Sequence, residues 1–340
     1  MASKENNGGS CPIKTSIGGQ ALIEGIMMRG PEVTAMAVRE PSGKIVIEKW
    51  ATKQGKGPKI LRLPIIRGVY NFIDSMKTGY KALMRSAEIA MPEDVDENGK
   101  PLTEEEKKKE SKLMGVAASI GGVLGVVLAV GLFIWLPSFL FTLIRNATVG
   151  TAAEAVLALT VTKSVFEGVL KLILFIGYIA AMCLIKDVRR TFEYHGAEHK
   201  TIFCYEARLP LTVENIRGQK RFHPRCGTSF MILMILVGIF IGMLIPNSIG
   251  GIEINHLLRS AIKLLLLPVT MGIGYELIKL CGKHDNVLTR IIAAPGVLLQ
   301  RLTVHEPDDK MIECAIEAMN AVIPENKDKI ETSETQTDPA

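Results

Sequence analysis

Residues 230–245 of the chain read FMILMILVGIFIGMLI, a run without a single charged side chain. The longer stretch 230–249 is sufficient for a helix to cross about 30 Å of hydrocarbon. Runs of similar character occupy residues 113–136, 165–185 and 264–281. Hydrophobic residues make up 48% of the chain and charged residues 22%, and their segregation into long apolar runs is typical of membrane proteins. We therefore predict a mainly α-helical membrane protein with about four transmembrane helices.

Positive charge indicates how the predicted helices are oriented. Segment 186–229, between the second and third helices, contains nine lysine and arginine residues, whereas the loops around Arg145 and Arg259 contain few. Because cytoplasmic loops of membrane proteins carry an excess of Lys and Arg, we expect this segment and both termini to be cytoplasmic. The net charge of +5 then reflects orientation in the cytoplasmic membrane, and no specific nucleic-acid partner is predicted.

The remaining residues form a small module and several connecting segments. Residues 17–91 contain alternating strands on either side of a Pro-Ser-Gly turn, followed by a helix with apolar residues at helical spacing, which predicts a cytoplasmic α+β module. That helix either packs on its own module or lies on the inner membrane surface. The other expected segments are a polar N-terminus without a signal peptide (1–16), a charged linker (92–112), a cytoplasmic helical region (282–323) and a disordered tail (324–340).

The sequence Tyr194-His195-Gly196-Ala197-Glu198-His199-Lys200 contains an H-x-x-E-H pattern about ten residues after the second predicted helix. On a helix, His195 and His199 project from one face with Glu198 beside them. In the inverted zinc peptidases the same order of residues provides two zinc ligands and a glutamate that activates water. The pattern therefore predicts a divalent-metal site, with zinc as the first candidate. Iron and manganese also accept such ligands.

A second pair of potential ligands, His223 and Cys226, comes just before the third predicted helix. Three arrangements remain open. In a catalytic site, His195, His199 and one member of this pair bind the metal, and Glu198 is the general base. In a structural site, all four of these His and Cys side chains close the metal shell. Without a metal, the imidazoles make hydrogen bonds or contact lipid phosphates.

Other polar residues are weaker candidates. Glu276 lies within the fourth predicted helix, where an ionisable group is a functional candidate, either as a carboxylate ligand or as a partner of Lys279. Glu24 is either a functional carboxylate or one that flanks a turn in a Gly-rich loop. Glu167 and Lys171 are explained by a local ion pair. None of the six cysteines forms a C-x-x-C pair, so free thiols in a reducing compartment are expected.

Several blocks of the chain resemble one protein family. These blocks are residues 18–31, Arg67-Gly68, Tyr194–Lys200, His223–Phe230, Tyr275-Glu276, 295–303 and 306–309. Together they span about residues 17–320 and resemble the YqhQ-like bacterial membrane proteins, a family of unknown function whose members are described as predicted metal-dependent enzymes. The resemblance implies a location in the cytoplasmic membrane and metal-dependent chemistry.

Two functions from different classes follow from these patterns. The first is a metal-dependent hydrolase at the cytoplasmic face of the lipid bilayer, acting on a membrane-proximal substrate such as a membrane protein or a lipid. The alternative is a non-catalytic membrane scaffold or biogenesis factor in which the same residues form a structural metal site. A transporter is disfavoured because ionisable residues inside the predicted spans are scarce; away from the ends they are Lys171, Glu276 and Lys279.

Overall fold

The computed structural model describes residues 15–52, 58–90, 113, 116, 120–148, 156–224, 226–246, 248–249, 252–284 and 286–323. The strands are β1 (Gly18–Leu22), β2 (Gly25–Arg29), β3 (Val33–Arg39), β4 (Ile45–Ala51), β5 (Ser248–Ile249) and β6 (Ile252–Glu253). The helices are α1 (Ile66–Ala90), α2 (Ile120–Arg145), α3 (Val156–Met182), α4 (Lys186–Glu206), α5 (Val213–Arg217), α6 (Gly227–Leu244), α7 (His256–Leu265), α8 (Leu267–Lys283), α9 (Val287–Thr303) and α10 (Asp309–Asn320). Most of the predicted N-terminus, linker and tail lies outside the described residues.

The N-terminal strands form an antiparallel sheet in the order β1-β2-β3-β4. The hairpin predicted across the Pro-Ser-Gly turn is β3 and β4, and Gly43 adopts the positive φ of 90° that the turn requires. The structure adds β1 and β2, which lie in the glycine-containing segment before this hairpin. Side chains alternate between the two faces, so Met27 packs on one face while Ile26 and Met28 pack on the other.

Helices cover both faces of this sheet. The Met27 face packs against α1 through Ala82, and the opposite face packs against α4 and α10 through residues such as Tyr194 and Met311. α10 begins at its N-cap Asp308, whose side chain accepts a hydrogen bond from the N–H of Met311. The C-terminal helix therefore completes a core that the first strands begin.

Helices with apolar surfaces form a separate bundle. α2, the portion of α3 from Thr162 to Met182, and α6 are each long and apolar enough to cross a membrane, and α7 with α8 adds a fourth if the bent pair counts as one span. α6 is central, because α3, α8 and α9 all pack against it. The mainly helical prediction with a small sheet is confirmed, and the apolar helices are compatible with a membrane protein.

The fourth predicted helix, 264–281, differs from the structure. Its residues fall in two helices, α7 and α8, which meet at Leu266 with a bend of 45°. Pro268 lies in the first turn of α8, where its missing N–H is tolerated, whereas within a continuous helix its ring would clash with the preceding turn. The apolar run gives no sign of this break, because leucine and valine residues surround Pro268 and keep the mean hydropathy high.

Helix α1 connects the sheet to the bundle, which confirms that it packs on its own module; its predicted alternative location on the inner membrane surface stays a prediction. Its C-terminal half packs on the sheet: Gly79 leaves room for the Gln20 side chain of β1. Its N-terminal half packs on α8, where a Cβ at Gly68 would lie 2.8 Å from Tyr275 Cβ. Asn71 also donates a hydrogen bond to the Tyr275 hydroxyl at 2.8 Å. The α+β module is thus joined to the apolar helices by side-chain contacts.

Candidate metal centre

Three potential metal ligands converge where α4 meets the beginning of α6. The ligand atoms of His195, His199 and Cys226 all lie within 4.8 Å of one another. The two imidazoles are one turn apart on α4, and their ring centroids are 4.4 Å apart. Cys226 is the N-cap of α6, and its Sγ lies 3.2 Å from His195 Nε2. This cluster has the composition and the spacing to hold a metal ion.

Hydrogen bonds to the backbone fix the orientation of both imidazoles. His195 Nδ1 lies 2.8 Å from the carbonyl oxygen of Thr303, and His199 Nδ1 lies 2.6 Å from that of Arg221. A carbonyl oxygen only accepts, so each Nδ1 carries the proton and donates it. Each Nε2 then presents a lone pair towards Cys226, where it can accept a hydrogen bond from the thiol or bind a metal. Histidine ligands in metalloproteins are held in this way, with the second ring nitrogen donating to a carbonyl or carboxylate.

The electrostatics of the cluster suit a divalent cation. Burial lowers the pKa of His199, which favours the neutral imidazole that a metal requires. Cys226 lies at the N-terminus of α6, and its sulfur accepts a hydrogen bond from Thr228 Oγ1 at 3.3 Å. Two imidazoles and a thiolate are a ligand set that zinc accepts.

Glu198 lies beside the cluster without belonging to it. Its side chain is 5% exposed, and burial raises its pKa to about 7, against an opposing effect of His195. Among the described residues no group hydrogen-bonds its Oε2. A Cβ on Gly19 of β1 would lie 2.8 Å from both Glu198 Cγ and Cδ, so the sheet packs directly on this side chain. A buried carboxylate is thereby held within electrostatic reach of His195.

His223 lies next to the cluster but outside the group of three. Its ring centroid is 5.7 Å from that of His199 and 4.7 Å from that of Phe203, and its Nε2 is 4.0 Å from a carboxylate oxygen of Glu206. Its backbone is fixed by Gln300 of α9, which accepts from the His223 N–H and donates to its carbonyl, both at 2.7 Å. The segment that carries Cys226 is therefore anchored to α9.

The other two candidates take part in ion pairs that join elements of the fold. Glu24 sits in the β1–β2 turn with a positive φ of 50° and binds the guanidinium of Arg190 on α4, which lowers the pKa of the carboxyl group. Tyr194 donates a further hydrogen bond to it at 3.2 Å. Glu276 pairs with Arg67 of α1, rather than with Lys279, and links α8 to the module. Neither carboxylate belongs to the cluster of His195, His199 and Cys226.

Several groups that shape the site carry no recognisable pattern in the sequence. They include the carbonyl oxygens of Thr303 and Arg221, the side chain of Gln300, and the buried Lys200, which donates to the carbonyl of Arg217 at 2.9 Å and contacts Glu306. Arg221 binds the same Glu306 carboxylate at 3.1 Å. Residues 295–303 and 306–309 belong to the blocks that resemble a known family, and the structure places both beside the cluster.

Comparison with known proteins agrees with that resemblance. A family model described as "Protein of unknown function (DUF1385)" matches residues 63–325, which include all three potential ligands and Glu198. The chain belongs to this family. It is 34% identical over 314 residues to "Uncharacterized protein YqhQ" of Bacillus subtilis (strain 168), an alignment that covers 92% of this chain and 93% of that protein. No solved structure matches the chain.

Proposed function

We propose that the protein is a multi-pass protein of the cytoplasmic membrane with a divalent-metal site at its cytoplasmic face, and that it acts as a metal-dependent hydrolase on a membrane-proximal substrate. The observation that carries this proposal is the pair of Nδ1 hydrogen bonds from His195 and His199 to backbone carbonyls. They leave two oriented Nε2 lone pairs next to the Cys226 thiol.

The three-ligand set supports catalysis over a purely structural centre. Catalytic zinc sites use three protein ligands and keep one position open, whereas structural sites use four. His195, His199 and Cys226 would hold the metal, and a divalent metal supplies a Lewis acid that polarises a carbonyl or phosphoryl oxygen. Glu198 would accept the proton of the attacking water and pass it to the leaving group, because its buried carboxylate lies beside the imidazoles with a pKa near neutrality.

The arrangement of the helices supports a site at the membrane surface. Cys226 directly precedes α6, one of the helices apolar enough to cross a membrane, and α4 follows α3, another of them, after a turn of a few residues. The positively charged segment 186–229 surrounds the cluster. Arg259 and Lys163, at the opposite end of the bundle, are buried within it and so add little to the charge that flanks the bilayer. A substrate would therefore approach along the cytoplasmic surface, as a lipid or a membrane-protein segment.

One observation favours the alternative, a scaffold with a structural metal. His223 lies against His199 and is nearly buried, so a modest change in the position of its ring would supply a fourth ligand and close the shell. Such a centre would stabilise the junction of α4, α6 and α9 without chemistry. The two proposals differ in what they require of Glu198.

Metal analysis of the purified protein tests the ligand set. We expect about one divalent ion per chain, and we expect His195→Ala and Cys226→Ala each to weaken metal binding by more than about 100-fold, because loss of even a hydrogen-bond partner of a ligand costs about 10- to 100-fold. His284→Ala is the matched control, since His284 is exposed and lies outside the cluster. Elemental analysis and competition with a chelator would measure the change. Equal metal content in the wild type and His195→Ala would contradict the assignment.

Labelling of single introduced cysteines in intact cells tests the orientation. We expect a membrane-impermeant thiol reagent added outside to reach a cysteine at position 255, which precedes α7, and not one at position 219, between α5 and α6. The described native cysteines are buried or half-buried, and the unmodified protein provides the background signal. Reaction at position 219 from outside would place the metal site on the other side of the membrane and exclude the cytoplasmic assignment.

A further inference from the structure

A second group of charged side chains extends from the end of the bundle opposite to Cys226 to its middle, where Lys171 lies near the centre of the span Thr162–Met182. Gly242, near the C-terminal end of α6, follows Cys226 by 16 residues, which is about 24 Å along a helix. Around it, α3 contributes Lys163, Glu167 and Lys171, and α7 contributes Arg259 and Lys263. Glu167 pairs with Lys263 rather than with its expected neighbour Lys171, and it accepts a hydrogen bond from Ser138 at 2.7 Å.

Among the described residues, this group contains more positively charged than negatively charged side chains. Four cations surround the single carboxylate of Glu167, and Lys263 is the residue that contacts it. Arg259 is fully buried and donates to the carbonyls of Gly242 and Ile245, at the end of α6 where the helix dipole favours a cation. Lys163 lies 5.9 Å from the centre of the Phe141 ring. No hydrogen bond or ion pair joins Lys171 to any described residue.

A recess next to Lys171 is lined by groups that can donate hydrogen bonds. Its polar lining includes Ser164, Glu167, Lys171 and Lys263. The Ser164 hydroxyl is buried and has no hydrogen-bond partner among the described residues. Unpaired cations and donors in an apolar bundle cost several kcal/mol unless an anion or a water compensates them.

We propose that this recess binds the phosphate group of an anionic ligand, with the ammonium groups of Lys171 and Lys263 and the hydroxyl of Ser164 as donors. Lysine suits this role because it is a compact charge with three rotatable donors. Glu167 holds the Lys263 ammonium in place, and the excess positive charge of the group attracts the ligand. The phosphate belongs either to the headgroup of an anionic lipid or to free inorganic phosphate. The site is independent of the metal centre and of the hydrolase proposal.

Thermal unfolding of the purified full-length protein in a neutral detergent tests this site. Phosphatidylglycerol, phosphatidylcholine and inorganic phosphate would be added separately. We expect an anionic phosphate ligand at about 100 times its dissociation constant to raise the melting temperature of the wild type by at least about 3 °C. A shift with phosphatidylglycerol and none with inorganic phosphate identifies a lipid headgroup, whereas a shift with inorganic phosphate identifies the free anion.

The variant Lys171→Gln should lose the ligand-induced shift and still fold, because Lys171 makes no ion pair or hydrogen bond with the residues described. Lys279→Gln is the matched control, since it removes an exposed lysine from α8 and lies outside the recess; it should keep the full shift. The proposal is overturned if neither anionic ligand stabilises the wild type, if zwitterionic phosphatidylcholine stabilises it equally, or if Lys171→Gln retains the whole shift.

Discussion

Replacing Glu198 by glutamine is expected to leave the metal content and the melting temperature close to those of the wild type and to abolish function. The amide has nearly the same size as the carboxyl group and can occupy the same space against Gly19. It cannot accept a proton from water, and general-base catalysis of this kind contributes about 10²- to 10⁴-fold to a rate. His195→Ala should abolish function as well, but with loss of the metal. The pair of variants thus separates chemistry from architecture.

Function in this comparison is measured as the ability of each variant to restore the phenotype of cells that lack the gene, with protein levels in the membrane measured in parallel. Glu193→Gln is the matched control: Glu193 lies on the same helix, its side chain is 26% exposed, and it is 3.7 Å from Arg189 in an i,i+4 pair. It should behave as the wild type. If Glu198→Gln restores the phenotype fully while His195→Ala does not, the hydrolase proposal is wrong and the structural metal site is the better account.

The substitution Gly196→Ala, which adds a single methyl group, is expected to destabilise the fold strongly. A Cβ at Gly196 would lie 1.9 Å from the carbonyl oxygen of His305, and the N–H of His305 donates to the carbonyl of Phe192 at 3.0 Å. Both obstacles are backbone, so relief requires α4 to move away from the segment between α9 and α10. We expect a loss of at least about 3 kcal/mol in the free energy of unfolding.

Chemical denaturation in detergent, followed by circular dichroism, would measure this loss. Gly218→Ala is the control, because its Cβ would meet nothing nearer than the carbonyl oxygen of Asn215 at 3.7 Å and its φ is ordinary. That variant should remain within about 1 kcal/mol of the wild type. Equal stability of the two variants would mean that α4 does not approach His305 as closely as the structure shows.

The parts of the site that sequence could predict are those set by local geometry. His195 and His199 share a face because they are four residues apart on one helix. Glu198 was expected in the same place for the same reason. His223 and Cys226 were both candidates for a further ligand, because segment 186–229 is tied to a predicted membrane helix at each end. The alternation of strands around Gly43 likewise predicted the hairpin, since both strands are adjacent in the chain.

The parts that sequence could not predict depend on contacts between distant residues. The carbonyl of Thr303 fixes the His195 ring across 108 positions, and any residue there would offer the same oxygen. Glu167 was assigned to Lys171 by proximity in sequence, but the fold gives it Lys263, which lies 96 positions away. The bend between α7 and α8 was not predicted, because the mean hydropathy of this stretch is dominated by its apolar residues and does not register the effect of Pro268 on the backbone.

The sheet near the start of the chain is completed by a helix near its end, and this has a consequence for the order in which the protein can assemble. β3 ends at Arg39 and α10, which covers one face of the sheet, begins at Asp309. At a synthesis rate of about 5–20 residues per second, the ribosome needs on the order of 10 to 60 s between the two. During that interval the apolar face of the sheet, with Ile26 and Met28, lacks the part of its cover that α10 provides. The cluster of His195, His199 and Cys226 also lacks its Thr303 partner until α9 has emerged. Under the proposed function, metal loading would therefore be a late event.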